Sequence, residues 1–288
     1  MNIIEDIKQQ YKTGGIVQKI IFLNIAVFLL SIIFFYSFQG KSFEYPLWLG
    51  LFSDTKQLIF RPWTLVSYMF LHGGFFHLLF NLMVLHFSGK LFLSYFTGKQ
   101  FLGVYLLGGV FSGLIYLFAF YLLGDYSVLV GASAAIMSIL IAVSVYAPYM
   151  LLRMPLIGTV KLWQVAGVIV LLDLIQVPLN NTGGHISHLS GALFGFIFVK
   201  SLQRGIDLSK GISKIQDFFE GLLKPKVKTP FKKVHKNTTN SNTTTTFTSQ
   251  TSEINQKRID DILDKISKTG YDSLSKEEKE FLFKVGNS

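Results

Sequence analysis

Apolar residues in the first two thirds of the chain come in blocks rather than in stripes. Ile20–Gln39, Pro62–Gly89, Phe101–Gly124, Tyr126–Leu152 and Leu174–Val199 contain no Asp, Glu, Lys or Arg. A surface helix of a soluble protein breaks its apolar positions every turn. A run of about 20 apolar residues is instead the length that crosses the ~30 Å hydrocarbon core of a bilayer. The pattern predicts six transmembrane helices, at 20–38, 74–93, 100–123, 132–148, 161–178 and 184–203. The first follows a polar segment, residues 1–19, that lacks a small-residue cleavage site, and its apolar run exceeds a signal-peptide core, so it is expected to be retained.

Beyond residue 205 the pattern changes. Residues 206–252 read as a basic and Asn/Thr-rich linker: Lys224, Lys226, Lys228, Lys232 and Lys233 come first, then Asn and Thr dominate up to Ser252. A lysine run beside a membrane domain suits anionic lipid, and the polar tract suits a spacer. Residues 253–288 form a small C-terminal helical module. Ile259, Ile262, Leu263 and Ile266 repeat at helical spacing, Gly270 ends that helix, and Ser275 with Glu278 matches a capping box for a second one. The expected class is therefore an all-α membrane protein, a six-helix bundle over residues 20–205 with a cytoplasmic helical tail.

Composition narrows the function. Half of the 288 residues are hydrophobic and 15% are charged, against a usual ~25%. That excludes a disordered chain and argues against a soluble globule. The absence of cysteine removes disulfides, thiolate catalysis, iron–sulfur clusters and cysteine zinc sites. The net charge of +10 could serve nucleic acid, but the basic residues flank the apolar blocks, so a lipid bilayer is the expected partner and nucleic acid is not. Lys8, Lys12 and Lys19 precede the first span, Lys90 and Lys99 separate the second and third, Arg153 and Lys161 the fourth and fifth, and Lys200 and Arg204 follow the sixth. By the positive-inside rule both termini are expected in the cytoplasm. The long segment 39–73, with Lys41, Lys56, Arg61, Trp48 and Trp63, reads as an interfacial loop.

Candidate chemistry lies inside the apolar blocks. His72, His77, His86, His185 and His188 all fall there, and ionisable groups in a bilayer generally face a protein or water-filled interior. Ser133 sits in Gly131-Ala132-Ser133-Ala134-Ala135 at the start of the fourth span. It reads either as an N-cap in a small-residue packing motif or as a nucleophile whose neighbouring amides hold an oxyanion. A serine nucleophile needs a base. His188 precedes Gly191 and Gly195, a small-xxx-small face that brings another helix close; if that helix is the fourth, His188 reaches Ser133. His77 and Asn81, four apart, share one helix face and form either a polar clamp or a pair of oxyanion donors.

These three motifs, H-x-x-x-N, G-x-S and H-x-x-G-x-x-x-G in that order over residues 20–203, resemble the rhomboid family of intramembrane serine proteases. The resemblance implies a serine-type endopeptidase in which Ser133 is the nucleophile and His188 the general base, with His77, Asn81 and the Ser133 amide holding the oxyanion. It implies transmembrane protein substrates, no cofactor, no metal and a bacterial inner (plasma) membrane. Arg61-Pro62-Trp63 is similar to the Trp-Arg element of the family's first loop in reversed order, and no role is transferred to it. Ala134 replaces a glycine of many members, and Met137 a tyrosine that in some packs against the histidine. The tail resembles a short module attached to some bacterial rhomboid proteins. No carboxylate is expected to orient His188, so a Ser-His dyad is the economical assignment, with Asp173 structural or cavity-lining. Two alternatives remain in view. One is a zinc site built on His185 and His188 with His72 or His77, although H-E-x-x-H is absent. The other is a catalytically inactive rhomboid-like protein that binds membrane clients.

Overall fold

The computed structural model describes residues 3–154, 158–223 and 250–286. The chain divides into two compact units, Met1–Lys226 and Val227–Ser288. The first begins with α1 (Ile3–Thr13) and α2 (Ile16–Phe35). The segment after α2 holds a two-stranded ribbon of β1 (Tyr36–Ser37) and β2 (Ser42–Phe43), then β3 (Leu51–Phe52), α3 (Thr55–Phe60) and α4 (Thr64–Ser67). Next come α5 (Phe75–Leu93), α6 (Gly98–Leu123), β4 (Val128–Leu129) and α7 (Ser133–Tyr146). A hairpin of β5 (Leu151–Met154) and β6 (Gly158–Lys161) leads into α8 (Leu162–Gln176), α9 (Thr182–Gln203) and α10 (Lys210–Leu223).

Each predicted span falls on a helix. The largest offset is at the first, predicted at 20–38 and observed at Ile16–Phe35. Three of these helices, α2, α5 and α6, are long and apolar enough to cross a membrane. α6 is clearly delimited: Thr97 and Gln100 form a reciprocal capping box at its start, and Gly124 ends it at φ +67. Its 26 residues rise about 39 Å at 1.5 Å each. α7 and α8 are apolar but only 14 and 15 residues long. α9 reaches 22 residues, its hydropathy diluted by histidines, glycines and serines.

α7 is the centre of the bundle. It packs against α5, α6, α8 and α9, and every residue from Ala134 to Ser144 is buried. A helix apolar on all its faces belongs in an interior, and α7 obeys that rule while being too short to need a lipid face of its own. α8 is the opposite: only Leu162, Ala166 and Asp173 are buried. The large apolar side chains left outside, such as Leu29, Phe80, Phe118 and Leu171, form the outer surface of the surrounding helices.

Two segments carry more structure than their sequence pattern announced. The polar N-terminus contains α1, and residues 210–223, assigned to the linker, form α10, whose Ile212, Ile215 and Phe219 repeat at helical spacing. The remainder of that linker, including the lysine run from Lys224 and the Asn/Thr tract to 249, lies outside the described residues. In the loop 39–73, Trp48, Ile59, Phe60 and Trp63 are exposed, and Trp63 Nε1 donates to the Trp48 carbonyl at 2.8 Å.

The second unit is a helical hairpin of α11 (Gln250–Thr269) and α12 (Lys276–Gly286). Gly270 turns the chain at φ +81. The Ser275 amide donates to Glu278 Oε2 at 2.7 Å and the Glu278 amide to Ser275 Oγ at 3.3 Å, which is the capping box expected from sequence. That backbone contact, together with Lys265, holds the Glu278 carboxyl below the usual carboxylate range. Among the described residues of this unit, Ile262 and Leu274 are buried, and Arg258 lies over the Phe281 ring.

Candidate active site

The segment before α7 is tied down along its length. β3 pairs antiparallel with β4 in the register Leu51↔Leu129 and Phe52↔Val128. The Ser53 amide donates to the Ser127 carbonyl at 3.0 Å, and the Gly131 amide to the Tyr68 carbonyl at 2.9 Å. The chain therefore enters α7 at a set position with Ser133 as the first helical residue. The first amides of a helix have no intrahelical acceptor and form its positive dipole end.

α9 brings the second group. A Cβ at Gly191 would lie 2.1 Å from the Ala134 carbonyl oxygen, and one at Gly195 2.4 Å from that of Ser138. The two glycines thus lie directly on the α7 backbone, the close approach that small residues permit between membrane helices. His188 stands one turn ahead of Gly191, as Ser133 stands one residue ahead of Ala134. The contact places Ser133 Oγ 2.7 Å from His188 Nε2.

α5 supplies the third element. The Gly73 amide donates to His77 Nδ1 at 3.2 Å, so the His77 proton resides on Nε2. That edge of the ring rests on Gly131: a Cβ there would lie 2.9 Å from His77 Nε2 and 3.5 Å from Ser133 Oγ. With φ at +129, position 131 needs glycine for its backbone as well as for the space. Asn81 donates one amide hydrogen to the His77 carbonyl at 2.7 Å, which leaves its second for another acceptor. His77, Asn81, Ser133, Met137, Asp173 and His188 all line one cavity of about 610 Å³. All four residues singled out for chemistry in the sequence therefore meet in one place, and Met137 stands at the same wall.

One expectation is corrected. His188 does have a carboxylate beside it: its Nδ1 lies 2.9 Å from Asp173 Oδ1. His185 Nδ1 lies 2.7 Å from the same oxygen. Asp173 lines the cavity, as expected, but it also touches both imidazoles. The reason is helical phase. Leu162, Ala166 and Asp173 stand at i, i+4 and i+11, three whole turns, so all three face inward from α8 onto the bundle. His185 and His188, three apart on α9, share the face that meets them. Sequence reading had both signals, the phase of α8 and the His-x-x-His pair, but lacked the rotation of one helix against the other.

Among the described residues, the same three side chains form a donor set that could hold a divalent cation, with ligand atoms within 4.8 Å of one another. The zinc alternative had paired these histidines with His72 or His77. Instead, His72 is fully buried behind His77, their ring centroids 5.2 Å apart, and the carboxylate that joins the pair comes from α8.

Comparison with known families follows the same division of the chain. A family described as Family of unknown function (DUF6576) matches residues 249–284, the C-terminal hairpin. No curated protein matches the chain. A family described as Rhomboid domain matches residues 60–204. That match takes in half of the chain, and it is the half that builds the cavity from α5, α7, α8 and α9: the chain belongs to the rhomboid family.

Proposed function

We propose that the protein is an intramembrane serine endopeptidase that cleaves the transmembrane segments of membrane proteins, with Ser133 as nucleophile and His188 as general base. The observation that carries this reading is the 2.7 Å contact between Ser133 Oγ and His188 Nε2 at the free N-terminus of α7. In this reading α2 and α5 to α9 are six spans, and both termini are cytoplasmic. The cavity opens to the outside face of a bacterial inner membrane, where water reaches it.

The reaction follows from the groups present. Ser133 Oγ attacks the scissile carbonyl as its proton passes to His188 Nε2. The carbonyl oxygen becomes an oxyanion that accepts hydrogen bonds from His77 Nε2, the free Asn81 amide hydrogen and the Ser133 backbone N–H. The intermediate collapses with cleavage of the C–N bond, and His188 returns the proton to the departing amine. Water, deprotonated by the same imidazole, then releases the acyl group from Ser133. A transmembrane helix has its carbonyls hydrogen-bonded, so a substrate must unwind locally before attack, which favours segments weakened by glycine or proline near the outer face.

The test is cleavage of a tagged model transmembrane substrate in liposomes by wild type, Ser133→Ala and His188→Ala, each with and without chelator. Chelator-insensitive cleavage lost in both variants is the expected result. Cleavage that survives Ser133→Ala removes the nucleophile and with it the reading. A fluorophosphonate probe supplies a substrate-independent check: Ser133-dependent labelling is expected, and its absence alongside no cleavage favours an inactive, client-binding rhomboid protein.

A further inference from the structure

We infer that Asp173 is a positioning residue for His188, and that His185 holds Asp173 in place; the inference rests on the serine-protease reading above. An ionised carboxylate only accepts hydrogen bonds. Asp173 Oδ1 meets His185 Nδ1 at 2.7 Å and His188 Nδ1 at 2.9 Å. Both imidazoles must then carry hydrogen on Nδ1, which in the neutral ring leaves Nε2 bare. For His188 the bare Nε2 is the atom that faces Ser133 Oγ. A neutral histidine in water favours the other tautomer, with hydrogen on Nε2. In that form His188 would point a donor at the serine and could not take its proton. The carboxylate selects the tautomer that makes His188 a base.

The same contact acts later in the reaction. When His188 accepts the serine proton, the imidazolium forms 2.9 Å from a carboxylate that is only 6% exposed. Charge pairs are worth more in such a site than in water, provided that the buried carboxylate keeps its hydrogen-bond donors. His185 is the second of these donors. It shares the carboxylate oxygen from one helical turn away and stops Asp173 from rotating off His188.

A purely structural role explains the placement poorly. Asp173 is one of only three buried residues on α8. Ionisable side chains are costly and rare in membrane helices, and one that faces the bundle interior marks a functional site by default.

The experiment uses the full-length protein in liposomes with the model transmembrane substrate. Asp173→Asn, nearly isosteric, is expected to lower kcat by about 10²–10⁴-fold with KM changed by less than about threefold. His185→Phe, which leaves the carboxylate its His188 contact, is expected to lose about tenfold. Asp173→Glu is expected to recover part of the loss. Nitrogen-15 NMR of the histidine rings in wild type is expected to show His188 with hydrogen on Nδ1, a reading that needs no variant to fold. His188 with hydrogen on Nε2 in wild type overturns the inference. So does an Asp173→Asn enzyme with wild-type kcat and cleavage that still requires Ser133, and that outcome leaves the protease reading intact. Wild-type activity abolished by chelator and restored by zinc overturns both, because the cluster is then a metal site.

Discussion

α7 and α8 are nearly equal in length and in hydropathy, yet they are held in opposite ways. α7 is buried from Ala134 to Ser144 and presents backbone to the glycines of α9. α8 buries only Leu162, Ala166 and Asp173, with Ile169 and Val170 packed partly against the bundle, and leaves most of its other side chains exposed. Ser133 therefore stands on a helix confined on every side, and Asp173 on one held mainly by a single face. Packing is what holds helices together where lipid is as apolar as leucine. On that basis Ser133 is located by many contacts spread around a helix, and Asp173 by a narrow face and two hydrogen bonds.

The largest expected difference compares glycines. Gly191→Leu forces a side chain into the Ala134 carbonyl, while Gly167 on α8 has open space where a Cβ would stand. Gly191→Leu is expected to abolish cleavage and to cost at least about 4 kcal/mol of stability, or to prevent folding. Gly167→Leu should stay within about 1 kcal/mol of wild type and remain active. Thermal unfolding in bicelles reads both, and equal effects at the two sites would end the comparison. Next comes Ile139→Ala, which opens a cavity at a fully buried position of α7 and should cost about 2–4 kcal/mol in the same assay.

Ala166→Leu sharpens the contrast from the other side. Ala166 belongs to the small cluster that joins α8 to Met137, Leu140 and Ala192. Extra volume there should cost about 1–3 kcal/mol but reduce kcat more than that loss of stability implies, because it levers Asp173 off His188. Measured kcat at a temperature where the variant is fully folded decides it; an unchanged kcat would mean that Asp173 is located by something other than its narrow face. The smallest effect is expected for Leu171→Ala on the exposed side of α8, within about 0.5 kcal/mol.

Much of this arrangement was legible in the chain. Charge-free stretches announced the helices because burying a formal charge in lipid is costly, and the Gly191–Gly195 face announced a close helix contact because few other residues permit one. Ser133, His188, His77 and Asn81 were legible as motifs, each with a bland reading beside the chemical one, and the structure brings all four to one cavity. The Asp173 contact was not legible, because one acid in an apolar helix has no period and its partner depends on how that helix is turned. The β3–β4 pairing escaped for a related reason: strands of two residues carry no alternation to detect. α10 was hidden by its setting, an amphipathic helix beside a lysine-rich tract that dominates the local composition.

The distance in sequence between Ser133 and His188 has a consequence for biosynthesis. Ser133 and His188 are 55 positions apart, and α9, which carries His188, follows α2 and α5 to α8 in the chain. A chain lengthening from its N-terminus completes His77, Asn81, the β3–β4 pairing and Ser133 before His188 exists. Until α9 is made, the nascent chain carries Ser133 without the imidazole that meets it. On the proposed reading, hydrolysis begins only when α9 docks its glycines on α7, so completing the fold and arming the site are a single event.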